Sequence, residues 1–149
     1  MYTYSIFSIK PKVAVHYLYK TGIIFRFLQE FSENPTDEHL ELQYNYVIEP
    51  LSLSFIEKKV QKIDGNISIE KHKQSMKIDW EGKILKIHKK RRHLEIHCST
   101  VSEMEEFFFP ALRKCDKFFF VTSSQLNDYG WLSIKNNRAG DKQMLYTYR

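Results

Sequence analysis

Three stretches in the middle of this chain alternate apolar and polar residues, and that alternation dictates a sheet. In Ser75–Trp80, residues 83–88 and Leu94–Cys98, apolar side chains fall at every second position. This is the period of a strand with one buried face. Glu81-Gly82 separates the first two, a dipeptide suited to a tight turn, and the basic run Lys89-Lys90-Arg91-Arg92 separates the second from the third. Strands joined by such short connections form an antiparallel meander.

The rest of the chain supplies elements to pack against it. Tyr2–Ile9, rich in Tyr, Thr, Ile and Phe, reads as a strand. Pro11 suits the first turn of a helix running to about Lys20, with Gly22 near its end. A second, apolar helix is expected over residues 23–31. Asn34-Pro35 offers an N-cap followed by Pro, and Asp37 and Glu38 suit the helix dipole, predicting a third helix over 35–48 that stops near Pro50. Leu51, Leu53 and Phe55 alternate like a strand, yet residues 55–63 suit a short helix equally well.

Ser102 and Glu105 resemble a capping box, predicting a helix to about Lys114 that Pro110 kinks or shortens. Residues 117–122 read as a strand, and Tyr129-Gly130-Trp131-Leu132 as a compact aromatic turn leading to a short final strand. The expectation is one α/β domain of α+β character over residues 1–134. It has a largely antiparallel, mixed sheet of about five strands packed with about four helices. Residues 135–149, polar and with Gly140, are expected to form a loosely ordered tail.

Size and composition agree with a single domain. A chain of 149 residues buries about 68–70% of its unfolded surface without metal or disulfide staples. The 11 Phe, 9 Tyr and 2 Trp promise a core or contact surface built from rings, while 5 Gly and 4 Pro exclude collagen-like and low-complexity readings. Cys98 and Cys115 lack CxxC spacing and read as two reduced thiols. No signal-like N-terminus and no apolar run of membrane-spanning length is found, so a cytoplasmic location without a membrane partner is expected.

The net charge of +5 is concentrated in one segment. Residues 57–92 hold 12 Lys and Arg against 5 Asp and Glu. Nucleic acid or an acidic partner would be drawn to Lys89, Lys90, Arg91 and Arg92, but the same run suits a solvated hairpin edge protected from aggregation.

Catalytic signatures are absent: there is no phosphate-binding glycine loop, GxGxxG, GxSxG or HExxH. His93, Glu95 and His97 share one strand face and have metal-ligand chemistry, although alternation alone produces that pattern. Cys98 falls on the opposite, apolar face, where it acts as a small hydrophobe rather than a nucleophile. Asp79 and Asp128 have no identifiable partner. No metal, cofactor or enzymatic activity is expected.

Two helices are apolar beyond what one core face requires. At about 100° per residue, Ala14, Val15 and Leu18 cluster on one side of the first helix, with Val13 and Tyr17 opposite, beside His16 and Lys20. On the third, Leu40, Tyr44, Val47 and Ile48 form a core stripe, while Leu42 and Tyr46 project the other way beside His39 and Gln43. Such outward groups suit a protein-binding patch, or a face that another segment covers.

Several strings resemble, in order, the sporulation inhibitor of replication family, SirA. They are Tyr2-Thr3-Tyr4, His16-Tyr17, the run from Ile24 to Phe31, Gln43 to Pro50, Phe108-Phe109 with Leu112-Arg113-Lys114, and Tyr129-Gly130-Trp131-Leu132. The resemblance implies a non-enzymatic protein of spore-forming bacteria that binds the N-terminal domain of the initiator DnaA and restrains replication. It places the partner-binding surface on Val13, Tyr17, Gln43 and Tyr46. The family favours an aromatic where this chain has Val13. Trp131 reads as core rather than contact. The competing reading, a nucleic-acid-binding module using residues 83–92, predicts steep salt dependence, whereas protein docking predicts a weak one.

Overall fold

Tyr2–Ile9 (β1) has apolar residues on both faces, Tyr4 and Ile6 on one and Phe7 and Ile9 on the other, all buried. A strand buried on both sides belongs at the centre of a sheet. The computed structural model, which describes residues 1–63, 66–123 and 125–132, places it there. The expected tail over 135–149 lies outside the described residues.

The chain continues through α1 (Pro11–Tyr17), α2 (Thr21–Glu33), α3 (Glu38–Val47), β2 (Ile48–Glu49) and α4 (Leu53–Gln61). The meander follows as β3 (Ile67–Lys71), β4 (Ser75–Trp80), β5 (Lys83–Lys89) and β6 (Leu94–Cys98). Then come α5 (Val101–Glu103), a π-helical turn (Met104–Phe108), α6 (Phe109–Arg113), β7 (Phe118–Ser123) and β8 (Asp128–Trp131).

Among the described residues eight strands form one antiparallel sheet in the order β3-β4-β5-β6-β1-β7-β8, and β2 pairs with β1. Residues 2–6 of β1 pair with β6 and 5–9 with β7, so β2, paired to Ser8 and Ile9, extends the β6 edge. The sheet is larger than expected because it gains β2 and β3, and the final strand starts earlier than expected, with Tyr129, Gly130 and Trp131 inside β8 rather than in a turn before it. Helices also exceed four among the described residues, even counting residues 101–113 as one.

The sheet divides the core in two. Beneath one face, Leu53, Ile56 and Val60 of α4 and Phe107, Phe108, Phe109 and Leu112 pack on Tyr4, Ile6, Ile78, Leu85, Ile87, Ile96 and Val121. On the other, Val13, Ala14, Ile24, Leu28, Phe31, Leu40 and Tyr44 of α1–α3 pack on Phe7, Ile9, Phe120 and Trp131. Strands β3–β6 contribute nothing to this second core. Trp131 is buried, edge-on to Phe120 at 5.1 Å, as the sequence suggested. Each fully buried Leu or Phe contributes roughly 1.5–3 kcal/mol, so these two clusters dominate the stability of the domain.

Local chemistry explains where several boundaries moved. Asn34 closes α2, its backbone N–H donating to the Glu30 and Phe31 carbonyls, so it is not free to open α3. Asp37 does so instead, accepting from the His39 and Leu40 N–H groups at 2.9 and 3.1 Å. The ambiguous stretch after Pro50 is helix α4: Ser52 Oγ accepts from Phe55 N–H, and Leu53, Ile56 and Val60 share a buried stripe. The expected box at Ser102 and Glu105 lies two residues earlier, where buried Glu103 accepts from Ser99 N–H and Thr100 N–H at 2.9 and 3.4 Å.

Pro110 has its expected effect on the helix. It lacks an N–H and crowds the preceding turn, and the helix widens just before it: Phe109 N–H donates to the Met104 carbonyl, five residues back. The Glu81-Gly82 turn also forms as expected, with both residues at positive φ and Gly82 N–H donating to Asp79 Oδ1.

Candidate functional site

Helices α1, α2 and α3 do not close against one another on their solvent side. They leave an open groove of about 900 Å³. From α1 come Lys12, Val13, His16 and Tyr17; from α2, Ile23, Ile24 and Phe27; from α3, His39, Leu42, Gln43, Tyr46 and Val47, with Lys20 in the connection. The four residues singled out from the sequence, Val13, Tyr17, Gln43 and Tyr46, all line this groove.

Their exposure differs. Tyr46 is 55% exposed and Leu42 69%, while Val13 is only 8% exposed. The expected outward placement of Val13 is therefore corrected: it forms part of the groove's floor. Helix α1 buries the arc made by Val13, Tyr17, Ala14 and Leu18, which at about 100° per residue spans less than half a turn. Val15, assigned to the core side from the sequence, lies beyond that arc and is exposed. Above the floor, the ammonium groups of Lys12 and Lys10 sit 4.9 and 5.5 Å from the Tyr46 ring centroid.

The α2 wall was missed by sequence reasoning. Ile24, Leu28 and Phe31 already satisfy a core stripe, and Ile23 and Phe27 widen it by roughly 80° around the helix. An apolar arc broader than one buried face was the available signal.

The basic turn between β5 and β6 performs internal work. Arg91 donates to the Pro35 carbonyl at 3.1 Å and to Glu41 Oε2 at 2.8 Å, reaching both the approach to α3 and its first turns. Arg92, at positive φ, donates twice to the Ile48 carbonyl just past the end of α3, at 3.1 and 3.0 Å. Lys89 donates to the Leu51 carbonyl, and Lys90 pairs with Glu95. Arg91 and Arg92 thus brace α3 from behind, while Lys89 and Lys90 are held near β2 and on β6. A second cleft of about 810 Å³, between α2 and the open half of the sheet, includes Lys90, Arg91, His93 and Glu95 in its wall.

His93 and His97 are occupied as well. His93 Nδ1 contacts Tyr44 Oη and the Arg91 carbonyl, and its ring stacks on Phe7 at 4.4 Å. Burial holds its pKa below the ordinary histidine value, so the neutral form is favoured. His97 lies between Thr3 Oγ1 and Glu95 Oε1, each at 3.2 Å. Among the described residues no group of three His, Cys, Asp or Glu is arranged to hold a metal ion. Burial pushes the Cys98 thiol up to about 11 and raises that of Cys115, so both remain protonated core residues. Asp79 and Asp128 serve their local backbone, accepting from Gly82 and Tyr129 N–H.

A single-sheet α+β protein with an open, largely apolar, helix-lined groove has an architecture suited to binding. The family model described as sporulation inhibitor of replication protein SirA matches residues 2–135, and the chain belongs to that family. This places it among regulatory inhibitors of replication. No curated protein matches the chain. Among the described residues no helix is long and apolar enough to cross a membrane.

Proposed function

We propose that this protein restrains replication in sporulating cells by docking the α1–α3 groove onto the N-terminal domain of the initiator DnaA, in the cytoplasm and without catalysis. The observation that carries this reading is the convergence of Val13, Tyr17, Gln43 and Tyr46, separated by up to 33 positions in sequence, on one groove. Tyr17 and Tyr46 offer amphipathic rings, Gln43 a directional hydrogen-bonding group, and Val13 an apolar floor.

The mechanism is occupation. A groove of this kind buries apolar surface of a partner and thereby withholds that surface from others. The nucleic-acid reading is less favoured: Arg92 and Lys89 donate to backbone carbonyls of the fold, and Arg91 and Lys90 already have carboxylate partners in Glu41 and Glu95. Titration of the purified protein with the DnaA N-terminal domain tests the proposal. Saturable binding that weakens on Tyr46→Ala is expected; absence of binding between two folded proteins refutes it.

A further inference from the structure

The groove is apolar at its floor, but its rim is cationic. Lys12 and Lys20 bring positive charge, His16 and His39 stand beside them, and among the described residues no acidic side chain lines the groove. Among the described residues, Lys12 and Lys20 take part in no ion pair. Of the two carboxylates of α3, Glu41 is held by Arg91 and Glu38 stands outside the groove lining. Lys12 lies over the Tyr46 ring, an attraction of about 0.5–1 kcal/mol at exposed sites that keeps the ammonium at the groove instead of trailing into solvent. The positive charge of Lys12 is therefore held at the mouth of an apolar depression, with Lys20 on the same rim.

An uncharged partner seated there would strip water from these ammonium groups without replacing it, and a basic one would be repelled. A nucleic-acid backbone would satisfy the charges but leave Ile23, Phe27 and Leu42 without apolar contact. We propose that the surface fitting this groove is an apolar protein ridge bordered by Asp or Glu carboxylates, and that Lys12 and Lys20 select for it. The proposal rests on the docking reading above and adds the chemistry of the partner's surface. It also changes the expected salt behaviour: docking here is moderately salt-dependent, because charged rims act mainly through steering and long-range attraction.

The test is calorimetric titration of the DnaA N-terminal domain into wild-type protein and into Lys12→Glu/Lys20→Glu, at low and high salt. Lys58→Glu/Lys73→Glu, with the same change of net charge elsewhere on the surface, serves as control. Affinity of the groove variant is expected to fall by about tenfold or more at low salt, with most of the salt dependence lost. Lys12→Gln/Lys20→Gln is expected to give an intermediate loss, and the control to stay near wild type. Wild-type binding that is indifferent to salt and unchanged by groove reversal overturns the carboxylate-bordered partner while leaving docking intact. An equal loss in the control overturns it too, since net charge alone then explains the effect. Failure of the wild type to bind at either salt overturns the docking reading and this inference with it.

Discussion

The hydroxyl of Tyr44 stands 2.8 Å from Nδ1 of His93, tying helix α3 to the residue just before strand β6. The hydroxyl donates its proton to the Arg91 carbonyl, so Nδ1 must carry its own proton to complete the contact. That leaves the neutral imidazole with its lone pair on Nε2, in a site where burial disfavours a positive charge. One side of α3 is fixed in this way, while its other side faces the groove.

Acid should therefore weaken the fold through His93. Its pKa in the folded protein lies below the ordinary value of 6.5, so the unfolded chain binds the proton first. Stability then rises with pH across this window: it is complete above about 6.5 and lost as pH falls through the folded pKa. The Glu49 carboxyl is also held below its ordinary range, by Lys117 and Ser8 against the cost of burial, but its contribution is lost only in more acidic solution, below about 4.5. Urea unfolding at a series of pH values should show a decline beginning near neutrality that His93→Gln flattens. An identical slope in both proteins would place the titration elsewhere.

Removing only the Tyr44 hydroxyl isolates the hydrogen-bonding part of this junction. Tyr44→Phe keeps the ring stacked on Phe31, whose centroid is 4.2 Å away. It removes one partner from each of the Arg91 carbonyl and His93 Nδ1, which still lie 3.0 Å from one another. The expected cost is about 0.5–1.5 kcal/mol, the net worth of a hydrogen bond whose partners keep another contact. A chemical denaturation curve with an unchanged midpoint would show that water replaces the hydroxyl there.

The two arginines of the brace should contribute unequally. Arg91 and Glu41 are both about half exposed, and solvent screening holds such pairs to roughly 0–1 kcal/mol. Arg92 places two donors on the Ile48 carbonyl in a partly buried setting, where charged hydrogen bonds are worth about 1.5–3 kcal/mol. Arg92→Ala should thus lower the unfolding midpoint clearly more than Arg91→Ala. Equal midpoints, or the reverse order, would contradict this division.

These long-range ties mark the boundary of what the sequence discloses. The meander, β1, the Glu81-Gly82 turn and the exposed positions of Leu42 and Tyr46 follow from local period and turn chemistry, and all are found. Strand β2 has only two residues and β3 reads Ile-Ser-Ile-Glu-Lys at a sheet edge, too short or too polar for periodicity to declare. The basic run reads as solvated or as a binding patch because its acceptors, the Pro35 and Ile48 carbonyls, lie more than forty residues away. Val13 was misplaced for a different reason. A seven-residue helix offers fewer than two full turns to define its buried arc, so several choices of face fit equally. The groove itself needed tertiary structure: its α2 wall reads as core until α1 and α3 are seen to stand apart.

Val13 and Tyr46 should separate the groove's two layers in experiment. Tyr46 is more than half exposed, so Tyr46→Ala should leave stability within about 0.5 kcal/mol of wild type. If its ring is an anchor, affinity for the DnaA N-terminal domain should fall by over about 1 kcal/mol, roughly fivefold. Val13→Ala removes methyl groups packed against the second core, and should cost about 1–2 kcal/mol of folding stability as well as weakening docking. Paired calorimetry and urea unfolding read both quantities on each variant. Destabilisation by Tyr46→Ala, with Val13→Ala neutral, would invert the two layers and place the docking floor at α3 instead of α1.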